Sequence, residues 1–155
     1  MRTRSSLSAF VAVVCVLLVP AYASADRVYH SEHMPLVSVG GAPLAQGFVE
    51  NIHSNGPEVY AHEIYSLKGA SPNTTYQVFL LVHLGDPGCD ASTATDFGFT
   101  ELTTNAAGNG TADRFIYVAD VPDAVRNQTH GVRWEVRTTS GTLVYQTACT
   151  NVTLD

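Results

Sequence analysis

Tyr76-Gln77-Val78-Phe79-Leu80-Leu81-Val82-His83 decides the fold. Tyr76, Val78, Leu80 and Val82 alternate with Gln77, Phe79, Leu81 and His83, and both sets are largely apolar. A run of this length with period two is a strand, and apolar side chains on both sides predict a central strand buried on both faces. Val132-Arg133-Trp134-Glu135-Val136-Arg137 differs in one respect, because every second residue is charged. It predicts a half-buried strand with one wet face. Leu143 to Ala148 alternates again and leads into Cys149. Further strand candidates are Gly47–His53, Val59–Leu67, Phe97–Thr104 and Thr111–Ala119.

Turn chemistry separates these runs at short intervals. Asn55-Gly56-Pro57, Ser71-Pro72-Asn73, Asp86-Pro87-Gly88 and Ser140-Gly141 each break a strand. Asn105 to Gly110 reads as a hairpin, since its Gly and Asn residues tolerate positive φ. No segment carries a useful helical stripe. The expectation is an all-β chain, a single antiparallel β-sandwich of 7–8 strands over residues 36–155. Residues 26–35, with Tyr29, His30, His33 and Pro35 in no clear period, are expected to be a flexible N-terminal arm.

The opening of the chain reads as a secretory signal peptide over residues 1–25. Arg2 and Arg4 form a basic head, Leu7 to Val19 is an apolar run, and Ala23-Ser24-Ala25 is a small-x-small cleavage signature. The run is shorter than the ~20 apolar residues of a membrane span. Removing it leaves 130 residues, with 14 acids against 6 Lys and Arg and a formal charge of −8. That balance argues against nucleic acid and anionic membranes as partners. No later segment reads as a membrane anchor, so a secreted, extracellular product is expected. Cys15 leaves with the leader. Cys89 and Cys149 remain, and two cysteines in an exported chain are expected to form one disulfide. Asn73, Asn109, Asn127 and Asn151 each begin an Asn-x-Thr glycosylation sequence, whose use depends on the host.

The Ser71-Pro72-Asn73-Thr74-Thr75-Tyr76 turn into a Tyr-led strand, the Thr104–Gly110 turn and the lone Trp134 resemble secreted immunoglobulin-like or fibronectin III-like modules over residues 36–154. Trp134 lies nearer the second cysteine than in immunoglobulin domains. The resemblance implies architecture and carries no activity. His83-Leu84-Gly85-Asp86-Pro87-Gly88-Cys89, with Ala148-Cys149, also resembles copper–zinc superoxide dismutase. There, however, Leu81 stands where a second copper histidine is expected, and the zinc loop is missing between Cys89 and Phe97.

Histidine is the one enriched chemical group, with His30, His33, His53, His62, His83 and His130. His53, His62 and His83, with Glu58 and Glu63 nearby, are the candidate metal ligands. No His-x-His pair sets two ligands on one strand face. Asp86, Asp90, Asp96, Asp120 and Asp123 lack the spacing of a calcium loop. Tyr29, Tyr60, Tyr65, Phe97 and Phe99 could form an aromatic carbohydrate-binding face. No nucleophile elbow or cofactor motif is present. The function expected is a small secreted, non-enzymatic binding or interaction module with an unknown extracellular partner, recognising it through loops such as 86–96 or 120–130. The alternatives are a histidine-based metal-binding protein and a surface component that oligomerises through an exposed strand.

Overall fold

The computed structural model describes residues 30–53, 59–90 and 94–154. They form ten strands and two short 3-10 turns: β1 His30–Pro35, β2 Val37–Ser38, β3 Gln46–His53, β4 Val59–Lys68, β5 Thr75–His83, β6 Thr95–Thr103, β7 Gly110–Tyr117, β8 Gln128–Thr138, β9 Leu143–Gln146 and β10 Thr150–Leu154. The 3-10 turns, Val118–Asp120 and Asp123–Val125, lie between β7 and β8. Sheet A has the order β1-β3-β4-β7. Sheet B runs β2-β9-β8-β5-β6, with β10 also on β8. Every pairing is antiparallel. The chain is an all-β sandwich of two antiparallel sheets.

Alternation explains the core. Val49, Ala61, Tyr65 and Leu67 from sheet A meet Tyr76, Val78, Leu80, Val132, Trp134, Val136 and Tyr145 from sheet B, all buried. β5 is central, between β6 and β8. Its second face is only half-buried, at Gln77, Phe79 and Leu81, which corrects the expectation of burial on both sides. A two-layer molecule buries one face of each sheet, so the apolar side chains of the other are shielded only by their neighbours.

Two expectations about connections change. Residues 30–35 of the expected arm form β1, paired along its length to β3 from His30↔His53 to Pro35↔Phe48. The segment has no alternation of its own, and pairing supplies its structure. Residues 26–29 and the leader lie outside the described residues, as does Asn55-Gly56-Pro57. The Asn105–Gly110 turn joins β6 of sheet B to β7 of sheet A, so it crosses between sheets and is no hairpin. It is bonded to the β4–β5 crossing, with Ala70 N–H donating to Gly108 O at 3.0 Å and Asn73 N–H to Asn105 O at 3.1 Å. A Cβ at Gly108 would stand 2.1 Å from Ala70 O, and its φ is +75°, so only glycine fits there.

Cys89 and Cys149 are joined, with Cα atoms 6.0 Å apart. The bridge ties the loop after β5 to the turn between β9 and β10. These two strands pair with successive parts of β8. Thr147 closes the gap between them: its N–H donates to Trp134 O at 3.0 Å, and its Oγ1 accepts from Trp134 N–H at 3.1 Å.

Candidate functional site

Strand parity places each histidine. On β3, Val49, Asn51 and His53 face inward, while Phe48, Glu50 and Ile52 face outward. On β4, Ala61, Glu63, Tyr65 and Leu67 are buried and His62 points away from the core. His83 shares the parity of Gln77, Phe79 and Leu81, on the outer side of sheet B, where it is itself buried. His53 thus faces the interior, His62 the outside of sheet A and His83 the outside of sheet B. The structure does not bring these three together. Among the described residues no group of three or more His, Cys, Asp or Glu is placed to hold a metal ion. Nor do the aspartates around Cys89 and Asp120 make such a group.

Two places remain as candidate sites. The first is inside the sandwich, where Asn51, His53, Glu63, His130 and Trp134 line a cavity of about 40 Å³ with Phe97 and several aliphatic side chains. Asn51 Nδ2 donates to His53 Nε2 at 2.7 Å, but Asn51 Oδ1 has no partner. Burial pushes the Glu63 carboxyl pKa up. The Tyr65 hydroxyl, which donates to it, opposes that shift, and so do the Trp134 indole and the Arg114 guanidinium. The Trp134 N–H sits near the carboxyl without forming a well-shaped hydrogen bond. His130 is fully used: Nδ1 accepts from Gly85 N–H at 3.0 Å, and Nε2–H donates to Val125 O at 2.8 Å. It joins the loop after β5 to the segment before β8. The cavity is on the scale of a few water molecules and far below the several hundred Å³ of an organic-ligand pocket. Its walls are mainly apolar, with Asn51, His53, Glu63 and His130 among the side chains that line it.

The second place is the outer face of sheet A. Cross-strand register lines up Ser31, Ile52, His62 and Phe115 in one row, and His33, Glu50, Ile64 and Asp113 in the next. His62 stacks on Phe115 with ring centres 4.1 Å apart and planes 5° apart, and Phe115 stacks on Tyr117 at 6.2 Å. His62 Nε2 lies 3.1 Å from Asp113 Oδ2. A similar group sits toward the β1 edge of the same face, where His33 is 4.4 Å from the Phe48 ring and 3.4 Å from Glu50 Oε2. The Ser31 hydroxyl and His33 hold the Glu50 pKa below its ordinary value. Phe115 is 44% exposed and Tyr117 52%. Large apolar side chains left that open on a sheet's wet face mark a contact surface more often than scattered single residues do.

The expected carbohydrate face does not assemble. Tyr65 is in the core, Phe97 lines the cavity, and Phe99 is exposed on the far side of the molecule. The side chains of Tyr29 and Tyr60 lie outside the described residues. Of the expected recognition loops, 120–130 is tied down, with Val121 and Val125 buried and Arg126 donating to Val118 O and Val121 O, and 86–96 lies partly outside the described residues. The stack on β7 was missed because Phe115 and Tyr117 read as ordinary alternation. Only register to β4 puts His62 beside them. The signal available was Phe115-x-Tyr117 with Asp113 one step earlier on the same face.

Compared with known proteins, the chain matches no family model, no curated protein and no solved structure. Among the described residues no helix is long and apolar enough to cross a membrane.

Proposed function

We propose that the protein is an exported, non-enzymatic binding module of immunoglobulin-like build, and that the outer face of sheet A is its recognition surface. The observation that carries this is the His62–Phe115–Tyr117 stack, in which two neighbouring rings on one strand are about half open to solvent. Aromatic side chains give large contact area with few torsions to freeze, which is why they anchor interfaces. Export is supported by the leader-like residues 1–25 and by the disulfide, a bond that persists in oxidising compartments. The immunoglobulin-like build is supported by strand order, with β4 and β7 in one layer facing β6-β5-β8-β9 in the other.

A photo-crosslinking residue in place of Tyr117, in the mature protein returned to the extracellular fluid of its source, tests this reading. A discrete adduct is expected from position 117 and none from Thr103, which is exposed on sheet B. The same adducts from both positions, or none from 117, would overturn it.

A further inference from the structure

We infer that the partner of this face is a basic protein segment, whose arginine or lysine side chains lie between the β7 ring stack and the carboxylates of Asp113 and Glu50. The inference rests on the proposal that sheet A's outer face is the recognition surface. Charge decides it. The central rows of the face carry Glu50 and Asp113 and no Lys or Arg. Lys68 is the one cation on this side of β4, and it lies six residues from His62, roughly 20 Å along the strand. Asp120, whose Oδ2 accepts from Tyr117 N–H, adds a third acid beside the stack. Arg114, although on β7, faces inward and donates to Phe97 O.

Acids beside open aromatic rings, without a cation of their own, fit a guanidinium or ammonium group. The group can lie over a ring face and reach a carboxylate at once. Asp113 is 58% exposed at its side chain, so its second oxygen is open to such a contact. A second copy of this chain fits poorly. Pairing the face with itself would set Asp113 and Glu50 against the same residues, and the exported chain carries a formal charge of −8.

The mature chain is titrated with a 12-residue synthetic peptide of alternating Arg and Thr, and with its Glu–Thr counterpart, at low and at physiological salt. The Arg peptide is expected to bind and the Glu peptide not to bind. Binding is expected to weaken at least tenfold in Asp113→Asn with Glu50→Gln, and comparably in Phe115→Ala. Glu101→Gln, a charge change of the same sign on the exposed edge of sheet B, is expected to leave affinity unchanged. Equal binding of both peptides, an equal loss with Glu101→Gln, or dimerisation through this face in sedimentation would overturn the inference. The two proposals fail separately. An adduct at position 117 combined with no effect of the acid variants removes the basic partner and keeps the binding face.

Discussion

On the outer face of sheet B, Arg137 reaches Glu135 at 2.5 Å and lies over the Phe79 ring at 4.8 Å, and Phe79 in turn packs on Phe99. On the outer face of sheet A, an aromatic stack and two carboxylates meet histidines and the Ser31 hydroxyl, and no Lys or Arg. Both faces are made of alternating strands with apolar side chains turned to water. Sheet B lays its own cation, Arg137, over Phe79 and pairs that cation with its own acid, while Phe99 beside it stays 48% exposed. Among the described residues, the central rows of sheet A's outer face hold no Lys or Arg. The inner faces differ in the same sense. Sheet B contributes a mainly apolar layer built around Trp134, with His130 and Thr147 as its buried polar members, whereas sheet A turns Asn51, Glu63 and Arg114 inward. Both layers bury polar atoms without partners, Trp134 Nε1 and His83 Nδ1 in sheet B and Asn51 Oδ1 in sheet A, but sheet A alone turns carboxyl, amide and guanidinium groups into the core.

Four measurements would sharpen or break this contrast. Trp134→Ala removes the largest side chain of sheet B's inner layer and is expected to destabilise the protein by about 3–5 kcal/mol. A loss under about 1 kcal/mol in chemical unfolding would mean that sheet B does not organise the core. Cys149→Ser opens a ring with a sequence separation of 60 and is expected to remove about 4 kcal/mol on the chain-entropy account. The same melting temperature with and without reductant would contradict that.

Glu63→Gln probes sheet A's inner layer. Burial raises the folded-state pKa above the ordinary 4.5, so the unfolded chain ionises first. Wild-type stability from this group is complete below pH 4.5 and falls as pH climbs toward the folded-state value. The groups around it are Tyr65, Trp134 and Arg114, with His53 and His130 on the same cavity. Glu63→Gln is therefore expected to raise the melting temperature at pH 8 and to change little at pH 4. A drop at pH 8 would show that the carboxylate is stabilised when ionised, and the contrast between layers would weaken. The smallest expected effect on stability is that of Phe115→Ala, within about 0.5 kcal/mol for so open a side chain. A loss above about 2 kcal/mol would make the stack a structural cover and remove its claim as a contact surface.

Much of this architecture was legible from period and turn chemistry alone. Val132, Trp134 and Val136 are buried, their charged neighbours lie on the other side, and the two cysteines meet, because alternation and compartment are local or compositional signals. β1 was not legible. His30 to Pro35 has one buried apolar residue, Met34, and becomes a strand only because β3 offers an edge. The Asn105–Gly110 turn was placed correctly and joined wrongly, since a turn specifies reversal and not which sheet receives the next strand. The candidate face was hidden for the same reason. His62 and Phe115 are 53 positions apart in the chain and become neighbours through the β4–β7 register. The three histidines proposed as metal ligands shared a chain segment or a residue type, but parity sent them to different faces.

The Cys89–Cys149 link closes a covalent loop containing β6, β7, β8 and β9, and leaves β1 to β5 outside it. Peptide-bond hydrolysis at the 104–109, 118–127 or 139–142 connections would therefore leave one covalently continuous molecule, intact on a non-reducing gel and split only after thiol treatment. A single scission at 39–45 or 69–74 would instead divide the polypeptide into two pieces held by contacts alone. Under proteolysis, damage to the second half is survivable in a way that damage to the first is not.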